Sequence, residues 1–208
     1  MRDPSSLRRS LVEQLHDQGV RDERVLEAFR KVPRHLFVRP KDLDRAYQDE
    51  ALPLGLGATV SQPYVVASML EALALRGHER VLDVGSGSGY TTALLCELAA
   101  EVHAIEWEPR LVEPALRLLR ELAYPNFLMQ SGDGRGGLPL RAPFDAILVS
   151  AACPELPDAL LLQLGPDGRL IAPVGGQAQQ QLELWRRQGE AGPRLESIGL
   201  PVRFVPLR

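Results

Sequence analysis

A chain of 208 residues, 45% hydrophobic and 25% charged, has the size and composition of one compact globular domain with a full hydrophobic core. Its formal net charge of −3 gives no bulk attraction for nucleic acid or an anionic membrane surface. No apolar run approaches the ~18 residues of a membrane span, and the opening "MRDPSSLRRSLVEQL" is amphipathic without the apolar centre of a signal peptide. A cytoplasmic protein is therefore expected, as is a monomer, since no heptad or unusual apolar stripe is visible. The cysteines Cys96 and Cys153 have no metal-binding or redox spacing and are expected to be free thiols.

Residues 5–18 and 22–31 carry helical patterns. Ser5 or Ser6 can cap the first helix and Asp22 the second. Pro33 ends the helical pattern, and residues 40–61 look irregular. "PYVVASMLEALALRG" predicts a helix with Pro63 in its first turn and Gly77 beyond its end. Apolar runs at 80–84, 102–105, 126–129, 144–149 and 169–174 predict buried strands, separated by helices near 90–99, 110–122 and 156–164. Pro114 is awkward inside the 110–122 helix, which is expected to kink or to begin near it. Alternating strands and helices predict a doubly wound, mostly parallel sheet. "QQLELWRRQ" and "VRFVPL" then predict an antiparallel C-terminal hairpin. The expected organisation is a single α/β domain: N-terminal helices and a substrate-side segment over 1–60, a cofactor-binding core over 61–175 and terminal strands over 176–208.

The chemistry is concentrated in "RVLDVGSGSGYTTALL", a short apolar strand, three glycines and a helix. The dinucleotide fingerprint needs a third small residue where this chain has Tyr90, and no Walker lysine is present. Asp83, two positions before the first glycine, would repel a pyrophosphate but attract an ammonium. Glu106 ends the next strand, where a carboxylate can accept both hydroxyls of a ribose. A ribose, a cationic group and no phosphate describe S-adenosylmethionine. Gly85, Ser86, Gly87, Ser88 and Gly89 would form its cradle.

At these residues the chain resembles class I methyltransferases of Rossmann-like fold. "AYQDEALPLGLGATVSQPYVVASMLEAL", "SGDGRGGLPLRAPFDAILVSAA" and "QLGPDGRLIAPVG" narrow the resemblance to protein-L-isoaspartate O-methyltransferases, from about Val32 to Gly175. That family methylates the free carboxylate of L-isoaspartyl residues in damaged proteins and peptides, using S-adenosylmethionine. The resemblance implies Ser61, in Thr59-Val60-Ser61-Gln62-Pro63, as the catalytic residue. The same serine could instead merely cap the helix opening at Pro63. It further implies Leu56, Ala58, Thr59, Val60 and Ala151 along the substrate groove, and Asp133 and Gly134 at the adenine. No metal is implied. None of the four histidines is assigned a catalytic role. The chain departs from the family pattern at Ala58, where Gln is usual, at Ser150, where Thr is common, and at Trp107, where Arg often stands. The Ala58 departure, which removes an amide donor, leaves open a methyltransferase of the same build acting on another carboxylate or a small molecule, or a non-catalytic cofactor-binding relative.

Overall fold

The computed structural model describes residues 3–176 and 178–208. Helices α1 (Pro4–Asp17) and α2 (Glu23–Lys31) come first. The cap of α1 is Asp3, not either serine: its carboxylate accepts from the Ser5 and Ser6 N–H groups, both at 3.2 Å. Asp22 caps α2 as expected, accepting from Arg24 N–H at 2.9 Å.

The segment expected to be irregular contains a small antiparallel hairpin, β1 (Leu52–Gly55) and β2 (Ala58–Val60). Its two turn residues, Leu56 and Gly57, have φ of 56° and 79°, the paired positive angles of a tight hairpin turn. Leucine at the first position hides that signal in the sequence. Helix α3 (Pro63–Leu73) follows, and ends where Ala74 turns left-handed.

The main sheet is built from β3 (Arg80–Val84), β4 (Glu101–Glu106), β5 (Phe127–Ser131), β6 (Phe144–Val149), β7 (Leu164–Gly175), β8 (Gln180–Arg187) and β9 (Pro193–Val202). Its order is β5-β4-β3-β6-β7-β8-β9. The five strands β3 to β7 pair in parallel, and β8 and β9 add antiparallel. Helices α4 (Tyr90–Leu98) and α5 (Pro109–Glu121) make the crossovers on one side of β3; α5 continues through Pro114. The chain then returns to the other side of β3, so the order in which strands are added reverses at β3, between β4 and β6. In open α/β sheets ligands bind in that crevice, at the carboxyl ends of the strands.

Two expected elements shift. The helix expected over 156–164 shrinks to the single turn α6 (Asp158–Leu161), because β7 already begins at Leu164. The last strand is Pro193–Val202, whereas "VRFVPL" mostly leaves the sheet and touches it through the Ala152–Pro206 bridge. Pro193, Gly199 and Pro201 weaken the strand pattern of β9, and it is exposed along most of its length, so no apolar alternation announces it.

Candidate active site

The turn after β3 lies in the crevice. The Gly85 and Ser86 N–H groups both donate to the Ile105 carbonyl, at 2.8 and 3.3 Å, which ties the turn to β4. Gly85, Gly87 and Gly89 all have positive φ (81°, 54° and 84°), angles that favour glycine. Their roles differ. A Cβ at Gly89 would stand 3.3 Å from Leu119 Cδ1 and 3.4 Å from Ala115 Cβ, so Gly89 lets α5 approach. Tyr90 consequently does not obstruct that packing. It is buried on the opposite side, edge-on to Phe29 at 6.2 Å and tilted against Phe37 at 5.5 Å.

Glu106 faces the turn from the end of β4. Its Oε2 accepts from Gly87 N–H at 2.7 Å and its Oε1 from Glu108 N–H at 2.9 Å. Each carboxylate oxygen keeps a second lone pair for a ligand hydroxyl. Asp83 is entirely buried under the turn. Its Oδ2 accepts from Thr92 Oγ1 at 2.6 Å, while its Oδ1 and the nearby Ser86 Oγ have no partner among the described residues. Burial pushes the Asp83 carboxyl up to about 7, against the pull of the Thr92 hydrogen bond, and the Glu106 charge adds to the rise. Thr92, a helix residue with no motif to flag it, is the partner that sequence reasoning misses.

Two cavities meet here. The first lies against the turn and is lined by Gly85, Gly87, Glu106, Trp107 and Gly134, by Leu56 to Thr59, by Ser150 and Ala151, and by the tail Val205–Arg208. The second, of about 560 Å³, is lined by Thr59, Ser61, Gln62, Val65, Arg203 and neighbours. Thr59 is a wall of both.

The expected site residues divide between them. Ser61 lines the larger cavity, and its helix-capping alternative is not realised. Gln62 is the N-cap of α3, with no side-chain cap, and Tyr64 N–H is taken by Asp49 Oδ1 at 2.8 Å. Leu56, Ala58 and Ala151 line the cavity at the glycine turn rather than the one beside Ser61. Val60 departs from expectation: it is 3% exposed, faces the core and lines neither cavity. Of the "GDG" pair, Gly134 lines the cavity at the glycine turn, its N–H donating to the Arg208 carbonyl at 3.0 Å. Asp133 lines neither cavity and is held by Arg135, whose Nη2 donates to Asp133 Oδ2 at 2.6 Å and keeps that carboxyl below its ordinary range. Asp83, Ser86, Ser88 and Gly89 also lie outside both linings. Among the described residues no group of His, Cys, Asp and Glu is placed to hold a metal ion, and no helix is long and apolar enough to cross a membrane.

The protein-L-isoaspartate(D-aspartate) O-methyltransferase family model matches residues 6–208. The chain belongs to this family. It is 50% identical over 200 residues to the protein-L-isoaspartate O-methyltransferase of Roseiflexus sp. (strain RS-1), covering 96% of this chain and 91% of the relative. It is 52% identical over 206 residues to protein-L-isoaspartate O-methyltransferase 2 of Anaeromyxobacter sp. (strain Fw109-5), covering 99% of this chain and 84% of the relative. A solved protein-L-isoaspartate O-methyltransferase superposes with a TM-score of 0.87 at 28% identity, over 97% of this chain and 66% of that one. A Plasmodium falciparum structure described as the same enzyme, in complex with S-adenosyl-L-homocysteine, superposes with a TM-score of 0.82 at 26% identity, over 96% of this chain and 97% of that one.

As isoaspartate methyltransferases require, the residues at the glycine turn suit S-adenosylmethionine. The turn presents bare backbone, Glu106 offers paired acceptors, and Asp83, which lines neither cavity, keeps a buried oxygen without a partner among the described residues.

Proposed function

We propose that this chain transfers the methyl of S-adenosylmethionine to the free carboxylate of L-isoaspartyl residues in damaged proteins and peptides, with Ser61 as the residue that orients that carboxylate. The observation carrying this reading is the shared wall: the cavity at the glycine turn and the cavity beside Ser61 adjoin at Thr59. Gly85, Gly87 and Glu106 would hold the cofactor, with Asp83 acting from beneath through its charge. Gly134, not Asp133, would lie against the adenine, since Arg135 already engages the Asp133 carboxylate. When bound, the cofactor supplies a methyl group on a cationic sulfur.

The acceptor carboxylate is already ionised at neutral pH, because carboxyls titrate near ~4. The site therefore needs no general base. The protein's work is alignment, and orientation alone can contribute ~7–11 kcal/mol to lowering a barrier. Thr59 and the Ser61 hydroxyl line the acceptor cavity as neutral hydrogen-bond donors. A neutral donor can hold a carboxylate without neutralising it, and Arg203, a cation of the same lining, adds charge attraction for the acceptor.

The deciding experiment incubates the protein with methyl-labelled S-adenosylmethionine and matched peptides containing Asp or isoAsp at one position. Base-labile label on the isoAsp peptide alone is expected. Label on neither peptide, from a protein that still binds S-adenosylhomocysteine, would overturn the reading, as would transfer only to another molecule.

A further inference from the structure

Arg34 is wholly buried, yet among the described residues it has no carboxylate within ion-pair distance. An isolated buried charge is costly unless hydrogen bonds compensate it. Here three backbone carbonyls do so: Nε donates to Ala46 O at 2.8 Å, Nη1 to Ser61 O at 2.9 Å and Nη2 to Glu50 O at 3.0 Å. The guanidinium also lies over Tyr90, 5.0 Å from the ring centroid. Tyr90 is the first residue of the helix that leaves the glycine turn. One side chain thus ties the Ser61 main chain to the 46–50 segment and to the base of the cofactor turn.

A second charge acts on the neighbouring positions. Asp49 Oδ1 accepts from Tyr64 N–H at 2.8 Å, and its Oδ2 accepts from Gln62 Nε2 at 3.1 Å and Gln18 Nε2 at 3.0 Å. Residues 61, 62 and 64 are therefore each held by an ionic side chain. The carbonyl of Ser61 is fixed, and the residue lines the acceptor cavity. Apolar packing would bury the start of α3 equally well. A planar guanidinium fork specifies direction and distance in addition.

We propose that Arg34 and Asp49 are positioning residues for methyl transfer: together they fix the main chain of residues 61–64 so that the Ser61 hydroxyl meets the acceptor carboxylate. This rests on the reading of Ser61 given above. Neither residue lines either cavity: Arg34 reaches Ser61 directly through its carbonyl, and Asp49 reaches it through the adjoining Tyr64 N–H and the side chain of Gln62, itself a wall of the acceptor cavity.

The test is a double-mutant cycle on isoaspartyl-peptide turnover, with S-adenosylhomocysteine affinity measured in parallel. Ser61→Ala, Arg34→Lys and Asp49→Ala are prepared singly, and the last two also in the Ser61→Ala background. A displacement of ~1 Å at a reacting group can cost ~10²-fold. Arg34→Lys and Asp49→Ala are each expected to lower kcat by roughly 10- to 100-fold. Asp49→Ala should leave S-adenosylhomocysteine affinity unchanged. In the Ser61→Ala background both effects should nearly vanish, because residues acting through a common group are not additive. Full effects persisting in that background, or an unchanged kcat in the single variants, would overturn the proposal. If Arg34→Lys does not fold, the half-buried Asp49→Ala decides alone. If Ser61→Ala by itself leaves turnover intact, the assignment of Ser61 has failed, and that single variant reports it without disturbing Arg34 or Asp49.

Discussion

Thr92 Oγ1 donates to Asp83 Oδ2 at 2.6 Å, in a pair with no exposure to solvent beneath the glycine turn. The other Asp83 oxygen has no partner, and burial pushes the carboxyl up to about 7. Between its ordinary value near ~4 and about 7, the folded protein therefore holds a proton that the unfolded chain releases. This contribution to stability is present at the acid end of that window and is lost as pH rises through 7. Ligand affinity should run the other way, since the ammonium that S-adenosylhomocysteine keeps, bound near the turn, would favour the ionised carboxylate. Thermal melts from pH 5 to 8 should show the parent losing stability relative to Asp83→Asn as pH rises, and calorimetry should show S-adenosylhomocysteine binding the parent more tightly at pH 8 than at pH 6. Identical pH slopes in parent and variant would discard the assignment.

Glu106 presents both oxygens to backbone N–H groups of the turn and of the start of α5. Replacing it by alanine removes the charged acceptor that a ribose would use and frees Gly87 N–H. Hydrogen bonds to charged groups contribute ~1.5–3 kcal/mol, so Glu106→Ala should weaken S-adenosylhomocysteine by about 10- to 100-fold. Calorimetry on the folded variant checks this, and equal affinity would remove Glu106 from the cofactor site.

The parallel core was legible because its signals are local. Val81–Val84 and Phe144–Val149 are short, mostly apolar runs, each broken by a single aspartate and bounded by turn residues, and buried parallel strands read that way. Glu106 was legible because the place of an acid after the second strand follows from the fold. The hairpin Leu52–Val60 was hidden by its short strands and by Leu56 in a left-handed turn position. β9 was hidden by its exposure and its prolines. Arg34, Asp49 and Thr92 were illegible for another reason. Each works through partners at least nine positions away in sequence, and no spacing rule joins Arg34 to the carbonyl of Ser61. The division of the groove residues between two cavities was equally a matter of tertiary arrangement, and Val60 turned inward because β2 alternates its faces.

Ala74 closes α3 in the left-handed conformation, with φ 47° and ψ 51°. A Cβ there costs roughly 1–2 kcal/mol. The residue is exposed, so its methyl contributes little packing. Glycine would relieve the strain, less the ~0.4–1 kcal/mol it adds to unfolded-state entropy. Ala74→Gly should therefore stabilise the protein by about 1 kcal/mol and raise Tm by ~2–4 °C, with turnover unchanged. A lower Tm would mean that the helix end is held by something other than its backbone angle.

Gly85 separates two explanations for a bare turn. A Cβ there would lie 3.6 Å from the Ser150 carbonyl carbon and 3.7 Å from Ala151 Cβ, which are ordinary contacts. The methyl itself fits, and the obstacle is the φ of 81° together with whatever branches from that carbon into the cavity that Gly85, Ser150 and Ala151 share. Gly85→Ala should then fold, lose ~1–3 kcal/mol of stability to backbone strain, and retain weakened S-adenosylhomocysteine binding. Gly85→Val should also fold but lose binding altogether, because its γ-methyls occupy the space the ligand needs. A folded valine variant with the parent's affinity would show that the ligand does not rest against this turn.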